Sequence, residues 1–163
     1  WVEDQLIAQY GTCSNHPGDL SPIAEQPLLK DLPNSDLELL QQNLVSIEHE
    51  SGSKIIQLHD KADGIYFLRA GKVSVMLGED IYVAGLDAGT CFGELALIEP
   101  NEARTANIIA ETKVVCSFLS IKAFNKISLI NPKLNELLLR NLGLILFERL
   151  KQSNSKIVAL SAN

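Results

Sequence analysis

Cys91 to Ala106 reads CFGELALIEPNEARTA: a glycine turn, a short apolar run opened by a glutamate, and an arginine ten positions after that glutamate. Gly93 has no Cβ, so the backbone at Phe92-Gly93 can approach a ligand closely. Glu94-Leu95-Ala96-Leu97 then favours a helical turn. The first N–H groups of such a turn lack intrahelical partners and sit at the positive end of its dipole, which suits a phosphate. The loop from Ile98 to Ala103, with Pro100-Asn101 inside it, returns the chain so that Arg104 can face the same anion with two donors of one guanidinium. A glutamate beside a phosphate repels it unless its carboxylate accepts from a hydroxyl on the same ligand. The pattern therefore implies a phosphate joined to a sugar.

Outward from this stretch the chain reads as short strands. Val45–Glu50 and Lys54–Leu58 flank Ser51-Gly52-Ser53. Ile65–Leu68 leads through Gly71, a tight hairpin corner, into the alternating run Lys72–Leu77. Ile81–Ala84 follows, and Asn107–Ala110 and Val114–Leu119 come after the loop. Strands with turns every few residues predict a mainly β protein, an antiparallel barrel or sandwich with flanking helices. Asn34 or Ser35 is placed to cap a helix carrying Leu37, Leu40 and Leu44. The carboxyl end predicts one helix over Ile121–Ile130 and a longer one from Lys133 to Ser153. Along the latter, Leu134, Leu138, Leu142, Ile145 and Arg149 recur at spacings of three and four, and further leucines widen the apolar surface.

On the residues quoted first, the chain resembles the cyclic nucleotide-binding domains. Their phosphate-binding cassette reads Phe-Gly-Glu-Leu-Ala-Leu, a short loop, then Arg-Thr/Ala/Ser-Ala. Phe92–Leu97 and Arg104-Thr105-Ala106 match both ends and the spacing between them. The resemblance implies a jelly-roll barrel that binds cAMP or cGMP, needs no metal, and acts as a regulatory module and not as an enzyme. It implies that Glu94 holds the ribose 2′-hydroxyl, that the backbone of Gly93, Leu95 and Ala96 approaches ribose and phosphate, and that Arg104 pairs with the cyclic phosphate. A hydroxyl at Thr105 can bond a guanine edge or an adenine in its syn form, so both ligands stay open; Ala106 completes the motif. Val75 and Val83 are placed by the resemblance on the barrel wall around the base, where ordinary core packing would put them as well. The last helix is implied to swing toward the cassette with ligand and to cover the base.

Composition narrows the rest. A chain of 163 residues, 46% hydrophobic and 21% charged, fits one soluble domain with a single sizeable core. Its formal net charge of −6 argues against a general nucleic-acid surface, because phosphate backbones are held mostly by lysine and arginine. No DNA partner is expected. Cys13, Cys91 and Cys116 are odd in number and widely spaced, so they read as reduced thiols of a cytoplasmic protein. No apolar run reaches the roughly 18 residues of a membrane span, and no membrane insertion is expected.

The chain begins with Trp1 and not methionine, as expected of a piece of a longer protein. Residues 1–27 read as an upstream helix over Trp1–Tyr10 and a Pro- and Gly-rich linker from Gly11, residues 28–153 as the binding domain, and 154–163 as a tail too short for a helix-turn-helix. The opening ten residues resemble the last helix of the STAS domains that precede cyclic nucleotide-binding domains in some bacterial sulfate permeases and glutaminases. That resemblance implies an upstream domain of the same chain as a partner. Packing of the opening helix on its own domain or in a homodimer is equally open. The leucine-rich last helix supports a second functional reading, an assembly module that keeps the barrel but no longer responds to nucleotide.

Other chemistries find little support. His16, His49 and His59 share no metal-ligand spacing, no serine stands in a Gly-x-Ser-x-Gly elbow, Cys91 has no neighbouring histidine, and no P-loop lysine motif occurs.

Overall fold

The computed structural model describes residues 13–17 and 26–162, so the helix expected over Trp1–Tyr10 lies outside the described residues. Strands run over Cys13–Pro17 (β1), Val45–His49 (β2), Lys54–Ile56 (β3), Gly64–Ala70 (β4), Lys72–Leu77 (β5), Ile81–Asp87 (β6), Cys91–Phe92 (β7), Asn107–Ala110 (β8) and Val114–Ser120 (β9). They form two antiparallel sheets, in the orders β1-β2-β9-β4-β7 and β3-β8-β5-β6. Helices cover Asn34–Gln41 (α1), Ile121–Ile130 (α2) and Pro132–Ser161 (α3). The jelly-roll architecture with flanking helices is as expected.

Period-two alternation explains how one sheet serves two cores. On β4, Ile65 and Phe67 face a core shared with the helices, while Tyr66 and Leu68 face the barrel interior. The outer core gathers Leu28, Leu40, Phe124, Ile127, Leu134 and Leu138; the inner gathers Ile47, Ile56, Val73, Phe92, Ile108 and Phe118. Tyr66 stacks on Phe92 with ring centroids 5.1 Å apart and tilts against Phe118 at 4.7 Å. This aromatic group fixes β7, and with it the start of the cassette, against β4. The β4–β5 corner requires glycine: Gly71 has φ 88°, and a Cβ there would lie 2.3 Å from the Lys113 carbonyl oxygen.

Three local expectations are corrected. The linker expected from Gly11 to Pro27 contains β1, which pairs with β2 through Cys13 opposite Ile47 and Ser14 opposite Ser46. An edge strand is held by its backbone ladder and needs no apolar pattern, and Pro17 stands at its end, where the register shifts. Helix α1 is capped by Pro33 without a side-chain bond, so neither Asn34 nor Ser35 is its cap. Helix α3 runs to Ser161 and not to Ser153. No glycine or proline follows Gly143 to break it, and the Ser155 and Ser161 hydroxyls donate back to the carbonyls of Lys151 and Ile157 at 3.0 and 2.9 Å.

The helices are pinned at defined points. Asn131 separates α2 from α3, accepts the Leu134 N–H at 3.1 Å and donates to the Asp36 carboxylate at 2.8 Å. Asn141, buried on α3, donates to the carbonyls of Leu28 and Lys30 at 3.0 and 2.7 Å. The first half of α3 is thereby fastened beside the barrel.

Candidate nucleotide site

Strand β7 delivers the chain to Gly93, which adopts φ 73° and ψ 13° and caps a 3-10 turn over Glu94–Leu97. The left-handed backbone is reached at little cost only by glycine. A Cβ at Gly93 would sit 2.8 Å from Arg104 Nη1 and 3.3 Å from the Gly64 carbonyl oxygen, so the missing side chain leaves the space that the guanidinium uses. The helical turn expected here is thus a tighter, four-residue one, and the Ala96 N–H donates to the Gly93 carbonyl at 3.3 Å.

The loop returns under backbone control. Arg104 N–H donates to the Asp60 carbonyl at 2.8 Å, and His59 N–H donates to the Arg104 carbonyl at 2.9 Å. The Arg104 side chain, 7% exposed, then reaches three acceptors. Nη1 donates to the Gly93 carbonyl at 3.0 Å, and Nη2 donates to the Gly64 carbonyl at 2.8 Å and to Asp63 Oδ1 at 2.5 Å. A buried guanidinium needs such partners to offset its desolvation. The three acceptors fix the guanidinium in one position.

Glu94 is also buried, and its carboxylate pairs with Arg149 of α3. Arg149 Nη2 further approaches the Cys91 carbonyl at 3.4 Å. The charge that the helical spacing placed among leucines thus has a defined partner on the cassette.

A cavity of about 520 Å³ opens between the cassette, the barrel wall and α3. Gly93, Glu94, Leu95, Ala96, Arg104, Thr105 and Ala106 line it, and Val75 and Val83 face it from β5 and β6. The structure therefore brings all the residues singled out from sequence to one place. They differ in setting: Ala96 is buried, Ala106 and Val75 are half-buried, and Leu95, Thr105 and Val83 are exposed. Val83 stands on the edge strand of its sheet, 47% exposed, so it walls the cavity and does not pack the core.

Sequence reasoning missed the site's supporting residues. Asp63 lies 41 positions from Arg104, in a turn that carried no local signal. Leu146 and Arg149 add the helix side of the cavity. For Arg149 a signal existed: a cation on an otherwise apolar stripe needs a carboxylate opposite.

Nucleophilic chemistry is disfavoured by the same burial. Desolvation pushes the thiols of Cys91 and Cys116 up to about 12, with Glu94 adding to the effect at Cys91, so both stay protonated at neutral pH. Among the described residues no group of His, Cys, Asp and Glu could hold a metal ion, and no helix is long and apolar enough to cross a membrane.

Comparison with known proteins agrees with this geometry. Glutaminase 1 of Bradyrhizobium diazoefficiens is 34% identical over 162 residues, covering 99% of this chain but only 26% of that protein. The chain thus spans about a quarter of the length of this relative. The cAMP-dependent protein kinase type II regulatory subunit of Drosophila melanogaster is 39% identical over 105 residues, 62% of this chain and 28% of the subunit. A solved cyclic nucleotide-binding domain from Methylobacillus flagellatus shares the fold, with a TM-score of 0.73 at 21% identity over 85% of this chain and 80% of that one. The profile of the cyclic nucleotide-binding domain matches residues 46–131, more than half of the sequence, and the chain belongs to that family.

Proposed function

We propose that this chain binds cAMP or cGMP in the 520 Å³ cavity and reports occupancy to a longer protein through α3. Family membership supports a regulatory, non-catalytic module. The observation that carries the finer reading is the wall of that one cavity: a prepositioned guanidinium at Arg104, a buried carboxylate at Glu94, and an apolar side formed by Val75, Val83 and Leu146. In this reading Arg104 pairs with the cyclic phosphate, Glu94 accepts from the ribose 2′-hydroxyl, and the backbone of Gly93, Leu95 and Ala96 approaches sugar and phosphate. Thr105 and Ala106 border the purine, and Val75 and Val83 pack on it.

Signalling follows from the second partner of Glu94. The carboxylate that would take the ribose hydroxyl is the one that holds Arg149. Ligand entry changes the strength of that pair, and α3 registers the change. The coupling cannot exceed the ligand's differential affinity for the two helix arrangements, typically about 1 to 3 kcal/mol. The likeness to glutaminases supports a cytoplasmic enzyme of that kind as the parent, with the upstream domain as the partner that receives the signal.

Calorimetric titration with cAMP, cGMP and 5′-AMP tests the reading, with Arg104→Ala as the control. Binding of one cyclic nucleotide is expected, weakened in the variant by about 2 to 4 kcal/mol through loss of a charge-assisted fork. Undiminished binding by the variant would remove the cassette assignment.

A second reading is favoured by one observation. Phe147, Leu150, Ile157 and Leu160 on the far half of α3 are 56 to 77% exposed, which suits an assembly face. No binding of any nucleotide at millimolar concentration, together with a concentration-dependent dimer, would establish this alternative.

A further inference from the structure

A larger cavity, about 840 Å³, adjoins the first and shares Arg104 with it. Its walls come from β3, the turn before β4, the loop tip Pro100-Asn101 and the first turn of α2. The volume lies in the range of small-molecule sites, and the cavity carries an apolar floor that includes Ile55 and Ile121.

Its charge runs against that of the chain. The lining holds four cations, Lys54, Lys61, Lys122 and Arg104, against two carboxylates, Asp60 and Asp63, in a protein of formal net charge −6. Asp63 is engaged by Arg104, and Lys54 lies 3.7 Å from Glu79. Lys61 and Lys122 form no ion pair among the described residues. Asn101 and Asn125 add amide donors to the lining. With Asp63 engaged, two unpaired lysines face one remaining carboxylate, Asp60, and such a concave surface of net positive charge focuses a positive potential where the overall field is negative.

We propose that this cavity is a second anion site. Its ligand is a small molecule bearing two or more closely spaced anionic groups, phosphate or carboxylate, held by Lys61 and Lys122 and by the amides of Asn101 and Asn125. The site stands whether or not the first cavity binds nucleotide. Where both are filled, they oppose each other, because an anion beside Asp63 and Arg104 weakens the pull of that guanidinium on a phosphate in the first cavity. Reciprocity requires a cyclic nucleotide to weaken the second anion by the same factor.

The test uses the 163-residue chain, labelled with nitrogen-15 and titrated with sodium pyrophosphate and, separately, sodium citrate at constant ionic strength. Saturable amide shifts at Lys61, Lys122 and Asn125 are expected, with affinity reduced about tenfold or more in Lys61→Ala/Lys122→Ala. Saturation by only one of the two probes tells whether phosphate or carboxylate is preferred. No shift beyond a sodium chloride control, shifts undiminished in the double variant, or shifts confined to Gly93–Ala96 would overturn the site. A polyglutamate peptide that binds through these lysines while both small anions fail would also overturn it, and make the surface a protein-docking face. Cyclic nucleotide affinity measured on the same samples is expected to survive the double variant and to fall several-fold at saturating pyrophosphate. An unchanged affinity would refute the coupling, whereas loss of nucleotide binding in Arg104→Ala alone speaks only to the first cavity.

Discussion

The two arginines that border the smaller cavity are held in opposite ways. Arg104 is 7% exposed and bound by three acceptors, on Asp63 and Gly64 at the start of β4 and on Gly93 just after β7. Arg149 has a side chain 43% exposed, rides on a helix, and has the Glu94 carboxylate as its partner. A buried cation in a fixed cradle needs no reorganisation to receive an anion, which favours affinity. A pair whose cation is partly solvated gives up that cation more readily than a fully buried pair, which favours a response. Helix α3 is divided along the same line. Leu134, Leu138 and Leu142 are buried on its first half, and Phe147, Leu150, Ile157 and Leu160 are exposed on its second. Under the proposed function, recognition would fall to the arginine held in the barrel and readout to the one carried by α3.

The sharpest way to break this contrast is to attack the anchor of α3. Leu138, 2% exposed, packs in the outer core, and Leu138→Ala is expected to cost about 2 to 5 kcal/mol in urea unfolding. A loss below about 1 kcal/mol would mean that the first half of the helix is no better fixed than the second.

Gly93→Ala probes the cradle. Alanine in the left-handed region costs about 1 to 2 kcal/mol, and its Cβ displaces the Arg104 guanidinium from 2.8 Å. Nucleotide affinity is expected to fall by more than tenfold, about 1.4 kcal/mol, in the same calorimetric titration. Retained affinity would show that the preset position of Arg104 is dispensable.

These residues also mark what could be read from the sequence. The cassette was legible because glycine, glutamate and arginine act within one short stretch, where spacing alone constrains geometry. The strands were legible through alternation, as on β5, and so was the jelly-roll class. Asp63 was not, since its role depends on β4 carrying it beside a residue 41 positions away, and a turn aspartate has many ordinary uses. Strand β1 was hidden by its composition, because Pro17 and the small polar residues before it read as linker while the exposed edge of β2 supplied the pairing. The second cavity was invisible for a related reason. Lys61 and Lys122 come from a turn and a helix start that only the folded chain brings together.

Acid gives a milder test of the barrel side. His49 on β2 is 8% exposed, its Nε2 is buried without a hydrogen-bond partner among the described residues, and burial lowers its pKa below 6.5. The unfolded chain therefore takes up the proton first as pH falls. Stability contributed by neutral His49 is present above about pH 6.5 and is lost as pH falls from there through the folded-state pKa, with a slope of at most about 1.4 kcal/mol per pH unit. Subtracting the urea profile of His49→Gln from that of the parent is expected to isolate this slope. A difference profile that is flat below pH 6.5 would place His49 in solvent in the folded protein.

The smallest effect on stability is the most informative about function. Arg149→Gln keeps a polar side chain on α3 but removes the charge that Glu94 holds. Arg149 is partly exposed but Glu94 is buried, so the expected loss in unfolding free energy stays at about 1 kcal/mol only because the glutamine amide can still donate to the carboxylate in place of the guanidinium. Readout is another matter. With the ion pair gone, Glu94 can accept from a ribose hydroxyl in every molecule, so cyclic nucleotide should still bind, while the ligand-induced change in α3 amide resonances beyond Phe147 should vanish. A stability loss comparable to that of Leu138→Ala would make Arg149 a structural anchor. Persistence of the α3 response in the variant would route the signal through the leucines of the helix instead, and the division between a fixed arginine and a responsive one would no longer describe the site.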